Sequence, residues 1–176
     1  MAGLLIWIST EFMELFNGAH TDLSIWLTLL FKPGLIIGFW MLHKFQSPEK
    51  NTISLIATIL IIQNYVVFFF ADFLLFKADF NSVQDLMMTY PLLKIPAFLH
   101  VAGVILLAWT IIKIRKLPVW TGVILGIMSP LGAAIFLFNL PMMVFNVTVI
   151  VFCLVIFYQL RFVLYQETKH PTFSNL

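Results

Sequence analysis

Two charged residues sit where charge is costly. Lys32 lies midway through an apolar run, Leu29-Leu30-Phe31-Lys32-Pro33-Gly34, and Asp72 lies near the end of the next, Phe69-Phe70-Ala71-Asp72-Phe73-Leu74. A lysine at the centre of a bilayer costs about 2.5–3.5 kcal/mol on insertion scales, so such residues face a bundle interior, pair with one another or serve a site. Pro33 removes one helical hydrogen bond, and Gly34 is expected to let another backbone come close. Asn64, Phe68 and Asp72 are spaced by four and share one helix face, with Gln63 beside them. Lys32 thus has two candidate partners, the Asp72 carboxylate or the Gln63 and Asn64 amides. An opposite charge within about 4–6 Å keeps both groups ionised. The alternatives are a site that uses this charge pair and an ion pair that only orients two helices.

Further polar residues extend the set. Glu11 and Glu14 are one turn apart. A like-charge pair near a membrane can hold one proton and act as a general acid, or it can be a wet interfacial face. His100 follows Pro96-Ala97-Phe98-Leu99 and has no His, Cys or Glu at metal-ligand spacing, so a packing role competes with a binding one. Asn139, Asn146 and Gln159 fit interhelical hydrogen bonding, and Gly122-x-x-x-Gly126 fits close helix packing. Cys153 is the single cysteine, so no intrachain disulfide and no cysteine-based metal or redox motif can form. Nucleophile-elbow, phosphate-loop and zinc patterns are absent, and neither a metal nor a cofactor is expected. Chemistry would have to come from carboxylates, lysine or histidine.

The elements that must position these residues are membrane helices. Of 176 residues, 61% are hydrophobic and 10% charged, and the mean hydropathy is +1.01. A soluble domain is nearer half apolar and a quarter charged, which excludes a soluble globular protein and a disordered tail. The net charge of +2 is too small for a nucleic-acid surface. The expected architecture is all-α, a polytopic transmembrane helical bundle of five or six spans in a single integral membrane domain. Five spans are predicted at roughly 23–42, 52–76, 95–114, 119–140 and 142–165, since a bilayer core needs about 20 apolar residues per helix. Residues 1–17 read as either a sixth span or an interfacial helix, with Leu5, Ile8, Phe12 and Leu15 on one face and Glu11 and Glu14 elsewhere. The segment from Lys77 to Lys94 is the largest loop.

Charge predicts the orientation. One side collects Lys44, Lys50, Lys113, Arg115, Lys116, Arg161 and Lys169, and the other Lys77 and Lys94. The richer side is expected to be cytoplasmic, with the C-terminus there. Membrane lipids are the expected partners, nucleic acid is not, and a homo-oligomer or a membrane partner stays open.

The run Glu14-Leu15-Phe16-Asn17 and then Leu29-Leu30-Phe31-Lys32-Pro33-Gly34-Leu35 resembles the opening of the YhhN family of bacterial membrane proteins, which includes lysoplasmalogenases. That family carries Lys-Pro inside an early span and Gly-Asp near the end of the next, where this chain has Ala71-Asp72. Gly132-Ala133-Ala134-Ile135-Phe136-Leu137-Phe138-Asn139 is similar to the family's late Gly-Ala-x-x-Phe-x-x-Ser-Asp motif, with Asn139 at the final Asp, and the chain is shorter than family members usually are. The resemblance implies a bacterial inner-membrane enzyme that hydrolyses the vinyl-ether bond of lysoplasmalogens. For that chemistry Asp72 and Glu14 are the candidate catalytic carboxylates, and Lys32, Asn64, His100 and Asn139 are the candidate substrate-binding groups.

Overall fold

The computed structural model describes residues 2–17, 22–46, 51–77, 83–137 and 142–169. Seven α-helices follow one another: α1 (Ala2–Asn17), α2 (Asp22–Gln46), α3 (Thr52–Lys77), α4 (Val83–Thr89), α5 (Lys94–Ile114), α6 (Val119–Leu137) and α7 (Met142–Lys169), with a 3-10 turn at Pro91–Leu93 leading into α5. No strand occurs among the described residues. The five predicted segments fall on helices α2, α3, α5, α6 and α7, with 138–140 of the fourth outside the described residues. Four helical segments, Ile25–Gln46, Thr52–Leu74, Pro91–Ile114 and Val147–Gln166, are long and apolar enough to cross a membrane, and Val119–Gly132 is a shorter apolar stretch.

Local chemistry explains the ends. Asn51 begins α3 by accepting the backbone N–H of Ile53 at 3.1 Å and of Ser54 at 3.4 Å on its side-chain oxygen, the usual work of an N-cap. Helix α5 closes at Arg115, which takes the left-handed conformation at φ 59° and donates its N–H to the Ile111 carbonyl. Three residues on, Pro118 opens α6, and its carbonyl accepts the Thr121 hydroxyl at 2.6 Å. The predicted loop between Lys77 and Lys94 is not a plain loop. Its described part contains α4, too short and too mixed in polarity to stand out as an apolar run.

The six long helices close a ring: α1 packs on α2, α2 on α3, α3 on α5, α5 on α6, α6 on α7, and α7 back on α1, while α2 also reaches across to α7. Phe31, Leu35, Phe39 and Leu42 give α2 one buried face at helical spacing, while Leu30, Ile37 and Trp40 look outward. The outer surface is as apolar as the core, as expected of helices whose solvent is lipid.

Glycine shows where helices approach. A Cβ on Gly103 of α5 would stand 2.9 Å from the Ala57 carbonyl oxygen of α3, and one on Gly122 of α6 would stand 2.9 Å from the Ala108 carbonyl oxygen of α5. Gly122 and Gly126 therefore serve packing within the chain. The expected close approach at Gly34 does not occur among the described residues, since none of their atoms lies within 4 Å of a Cβ there, and the same holds at Gly132.

Polar ties add to the packing. Gln63 donates to the Pro96 carbonyl at 3.0 Å, joining α3 to α5. Ser129 donates to the Val101 carbonyl at 3.0 Å, joining α6 to α5. Gln159 donates to the Thr121 hydroxyl at 2.8 Å, so it makes the interhelical bond expected of it. Gln46 is the contrary case: it is 2% exposed, and neither its amide nitrogen nor its oxygen has a hydrogen-bond partner among the described residues. A buried unsatisfied polar group costs about 1–3 kcal/mol. Gln46→Met is accordingly expected to raise stability by about 1 kcal/mol or more, read as a higher midpoint in thermal unfolding of the detergent-solubilised protein. An unchanged or lower midpoint would show that the amide finds partners in the membrane protein.

Candidate functional site

The polar centre of the bundle joins α2 and α3. Lys32 stands ten residues into α2, about 15 Å from its start, and Asp72 stands five residues before the end of α3, about 7–8 Å from it, at 1.5 Å per residue. The start of α2 and the end of α3 lie on the same side of the bundle, because the two helices run antiparallel as neighbours. Helical side chains lean toward their own N-terminus. Lys32 is thereby aimed toward the start of α2 and so toward Asp72, which lies nearer that side of the bundle, and its length spans the difference in level.

The contact is direct. Lys32 Nζ donates to Asp72 Oδ2 at 2.5 Å and to the Phe68 carbonyl at 2.8 Å. The ammonium also lies 6.0 Å from the centre of the Phe68 ring. Phe68 and Asp72 are one helical turn apart, so a single face of α3 supplies the carboxylate, the carbonyl and the ring. Both charged residues are buried, Lys32 at 6% exposure and Asp72 at 3%. Of the two candidate partners, the carboxylate is the one taken. Gln63 turns instead to backbone carbonyls, including that of Pro96, and the Asn64 side-chain oxygen is buried with no hydrogen-bond partner.

A small apolar cap adjoins this centre. Ile25 and Leu29 of α2, Ala71 of α3 and Leu86 of α4 form one buried cluster, with Phe68, Phe69 and Leu93 packed against it. Leu86 is fully buried. Ala71 immediately precedes Asp72, so the cap adjoins the pair, and α4 contributes the part that the sequence did not reveal.

The remaining candidates lie elsewhere. His100 of α5 meets the edge of the Tyr65 ring, centroids 5.4 Å apart, and the Phe152 ring at 6.1 Å. Tyr65 is seven residues, or about 10 Å, from Asp72 along α3, which makes His100 part of a separate aromatic packing layer. Its Nδ1 is buried without a hydrogen-bond partner. Glu11 does not lie on a wet face: it is 7% exposed, while Leu5 and Phe12 of the apolar face are exposed. Helix α1 thus turns Thr10 and Glu11 into the bundle. The side chains of Glu14 and Asn146, and the whole of Asn139, lie outside the described residues.

Apolar helices of this length around a buried charge pair define the chain as an integral membrane protein of the all-helical class. Comparison with family models, curated proteins and solved structures gives no match.

Proposed function

We propose that the chain is a YhhN-like polytopic membrane protein in which the Lys32–Asp72 pair is the polar centre of a lysophospholipid site, and that it hydrolyses the vinyl-ether bond of lysoplasmalogens. One observation carries this reading. The residues on which the resemblance rests, the lysine of Lys32-Pro33 and the aspartate of Ala71-Asp72, are forty positions apart in sequence and in contact at 2.5 Å in space.

The chemistry fits the residue types. A proton adds to the β-carbon of the vinyl ether, giving an oxocarbenium ion. Water adds to that ion and loses a proton, and the hemiacetal collapses to an aldehyde and the freed glycerol hydroxyl. A carboxylate stabilises the developing cation and relays protons, as in glycosidase carboxylate pairs. Asp72 takes that role with Glu14 as the second carboxylate, while Lys32 orients Asp72 or holds the lipid phosphate. Purified protein is expected to release aldehyde from a lysoplasmalogen, and Asp72→Asn to slow release by about 100-fold or more. Equal rates from the two proteins, or none from either, would sink the catalytic reading.

A second reading rests on the burial of the pair, Lys32 at 6% and Asp72 at 3% exposure. A charge pair so buried also suits a non-catalytic membrane subunit or a solute-transport component, in which it locks α2 to α3. Absence of aldehyde release from a stable, folded protein favours this reading.

Both readings share a topology. We take α6 and α1 as the fifth and sixth spans, with both termini on the cytoplasmic side of a bacterial inner membrane. Helix α6 is 19 residues long, about 28 Å, close to the roughly 30 Å of a bilayer core. Helix α1 sits in the ring between α2 and α7 with Glu11 turned inward.

A further inference from the structure

A second lipid-directed feature lies at the opposite end of the bundle from the charge pair. Helices α3 and α5 pack tightly at Gly103, against Ala57, Leu60 and Ile61. Toward the start of α3 and the end of α5 they leave an open groove of about 450 Å³, lined by Ile53, Ile56, Ile105, Leu106 and Trp109. Ligand sites typically run about 300–1,000 Å³. The lining is apolar and includes no buried polar group to orient a polar solute.

The rim is different. Lys113 follows Trp109 by one helical turn and holds its ammonium 4.6 Å from the centre of the indole ring. Arg115 and Lys116 follow directly, both exposed. Helices α3 and α5 contain a single acid between them, Asp72, at their other end. A groove with an apolar floor and a basic rim complements the charge pattern of an anionic amphiphile. Basic sites beside transmembrane helices bind anionic lipid headgroups on this principle, and tryptophan favours the headgroup level.

We propose that the α3–α5 groove is a binding site for an anionic phospholipid, its acyl chain lying along Ile53, Ile56, Ile105 and Trp109 and its phosphate held by Lys113. The site is separate from the Lys32–Asp72 centre, and an absence of vinyl-ether hydrolysis would leave it standing. Bromine on an acyl chain quenches a nearby indole, so Trp109 reports occupancy directly.

The full chain is reconstituted in phosphatidylcholine vesicles containing either dibrominated phosphatidylglycerol or dibrominated phosphatidylcholine. The Trp109 signal is taken as the difference between the parent protein and Trp109→Phe. Brominated phosphatidylglycerol is expected to quench it at several-fold lower mole fraction than brominated phosphatidylcholine. Lys113→Gln is expected to abolish that preference while leaving the phosphatidylcholine curve unchanged. Coincident curves for the two lipids, or a preference that survives Lys113→Gln, would overturn the proposal. Native mass spectrometry gives a readout independent of the tryptophan variant: the parent chain is expected to retain phosphatidylglycerol through detergent stripping, and Lys113→Gln to lose it. Equal retention by the two proteins would also overturn it.

Discussion

Lys32→Met is expected to destabilise the protein by about 3–5 kcal/mol, because it leaves the Asp72 carboxylate buried without its cation. The size follows from geometry. A surface ion pair is worth about 1 kcal/mol or less, since water substitutes for the lost partner. At Asp72 the substitute is shut out. The carboxylate is 3% exposed, and the Leu86 cluster lies over the adjoining turn. Lys32 is similarly placed, and it does not reach out to water past the cap but donates inward to Asp72 and Phe68. Asp72→Leu is expected to cost a comparable amount, this time by orphaning the ammonium. The double variant Lys32→Met/Asp72→Leu removes both charges, and its stability is expected to return most of the way, because replacing a whole buried pair by apolar side chains is often neutral. Unfolding of the four proteins in mixed micelles of rising denaturing-detergent fraction measures the cycle. Additive losses in the double variant would show that the two residues act independently, contrary to the contact in the structure.

That cycle bears on function as well. If the double variant is folded and the parent releases aldehyde while the variant does not, the pair is chemical rather than only structural. A stable double variant together with an inactive parent leaves the pair as an alignment device between α2 and α3.

What could be read from the sequence follows from the cost of charge in lipid. Lys32 and Asp72 stood out because so little of the chain is charged, and the four-residue spacing placed Asp72 on a known face of its helix. The positions of the long helices were legible for the same reason, with ends displaced by only a few residues in most cases. Three features were not legible, each for a definite cause. Val83–Thr89 carries too short an apolar pattern to reveal α4, although Leu86 becomes a central part of the cap. The apolar spacing in residues 1–17 left both a span and an interfacial helix open and did not say which face would be covered. Glu11 is the buried residue, and Leu5 and Phe12 are exposed. Glycine spacing says that a helix can be approached but not from which side, so Gly34 looked like a contact and is open, while Gly103 carried no motif and is among the tightest contacts in the bundle.

Gly103 therefore provides the second large effect. Gly103→Ala adds a methyl group 2.9 Å from both the Ala57 carbonyl oxygen and Leu60 Cβ, and 3.0 Å from Ile61 Cγ1. The first of these is backbone and the second is the root of a side chain, so neither swings aside, and α3 and α5 must separate. Overpacking of this kind costs about 1–3 kcal/mol. Gly122→Ala meets the Ala108 carbonyl oxygen in the same way, with Ile111 and Ile112 beside it, and is expected to cost a similar amount by parting α6 from α5. Gly34→Ala and Gly132→Ala are the controls, because each adds a methyl group into open space. Alanine exceeds glycine in helix preference by about 1 kcal/mol, so these two are expected to be neutral or mildly stabilising. The four single variants share one chemical change and differ only in what the new methyl group meets. Their unfolding midpoints should fall into two groups, Gly103 and Gly122 well below the parent, Gly34 and Gly132 at or above it. A loss at Gly34 as large as that at Gly103 would mean that a neighbouring molecule packs on the outer face of α2. Tolerance at Gly103 would mean that α3 and α5 stand further apart than the structure places them, and the groove beside them would then be wider than 450 Å³.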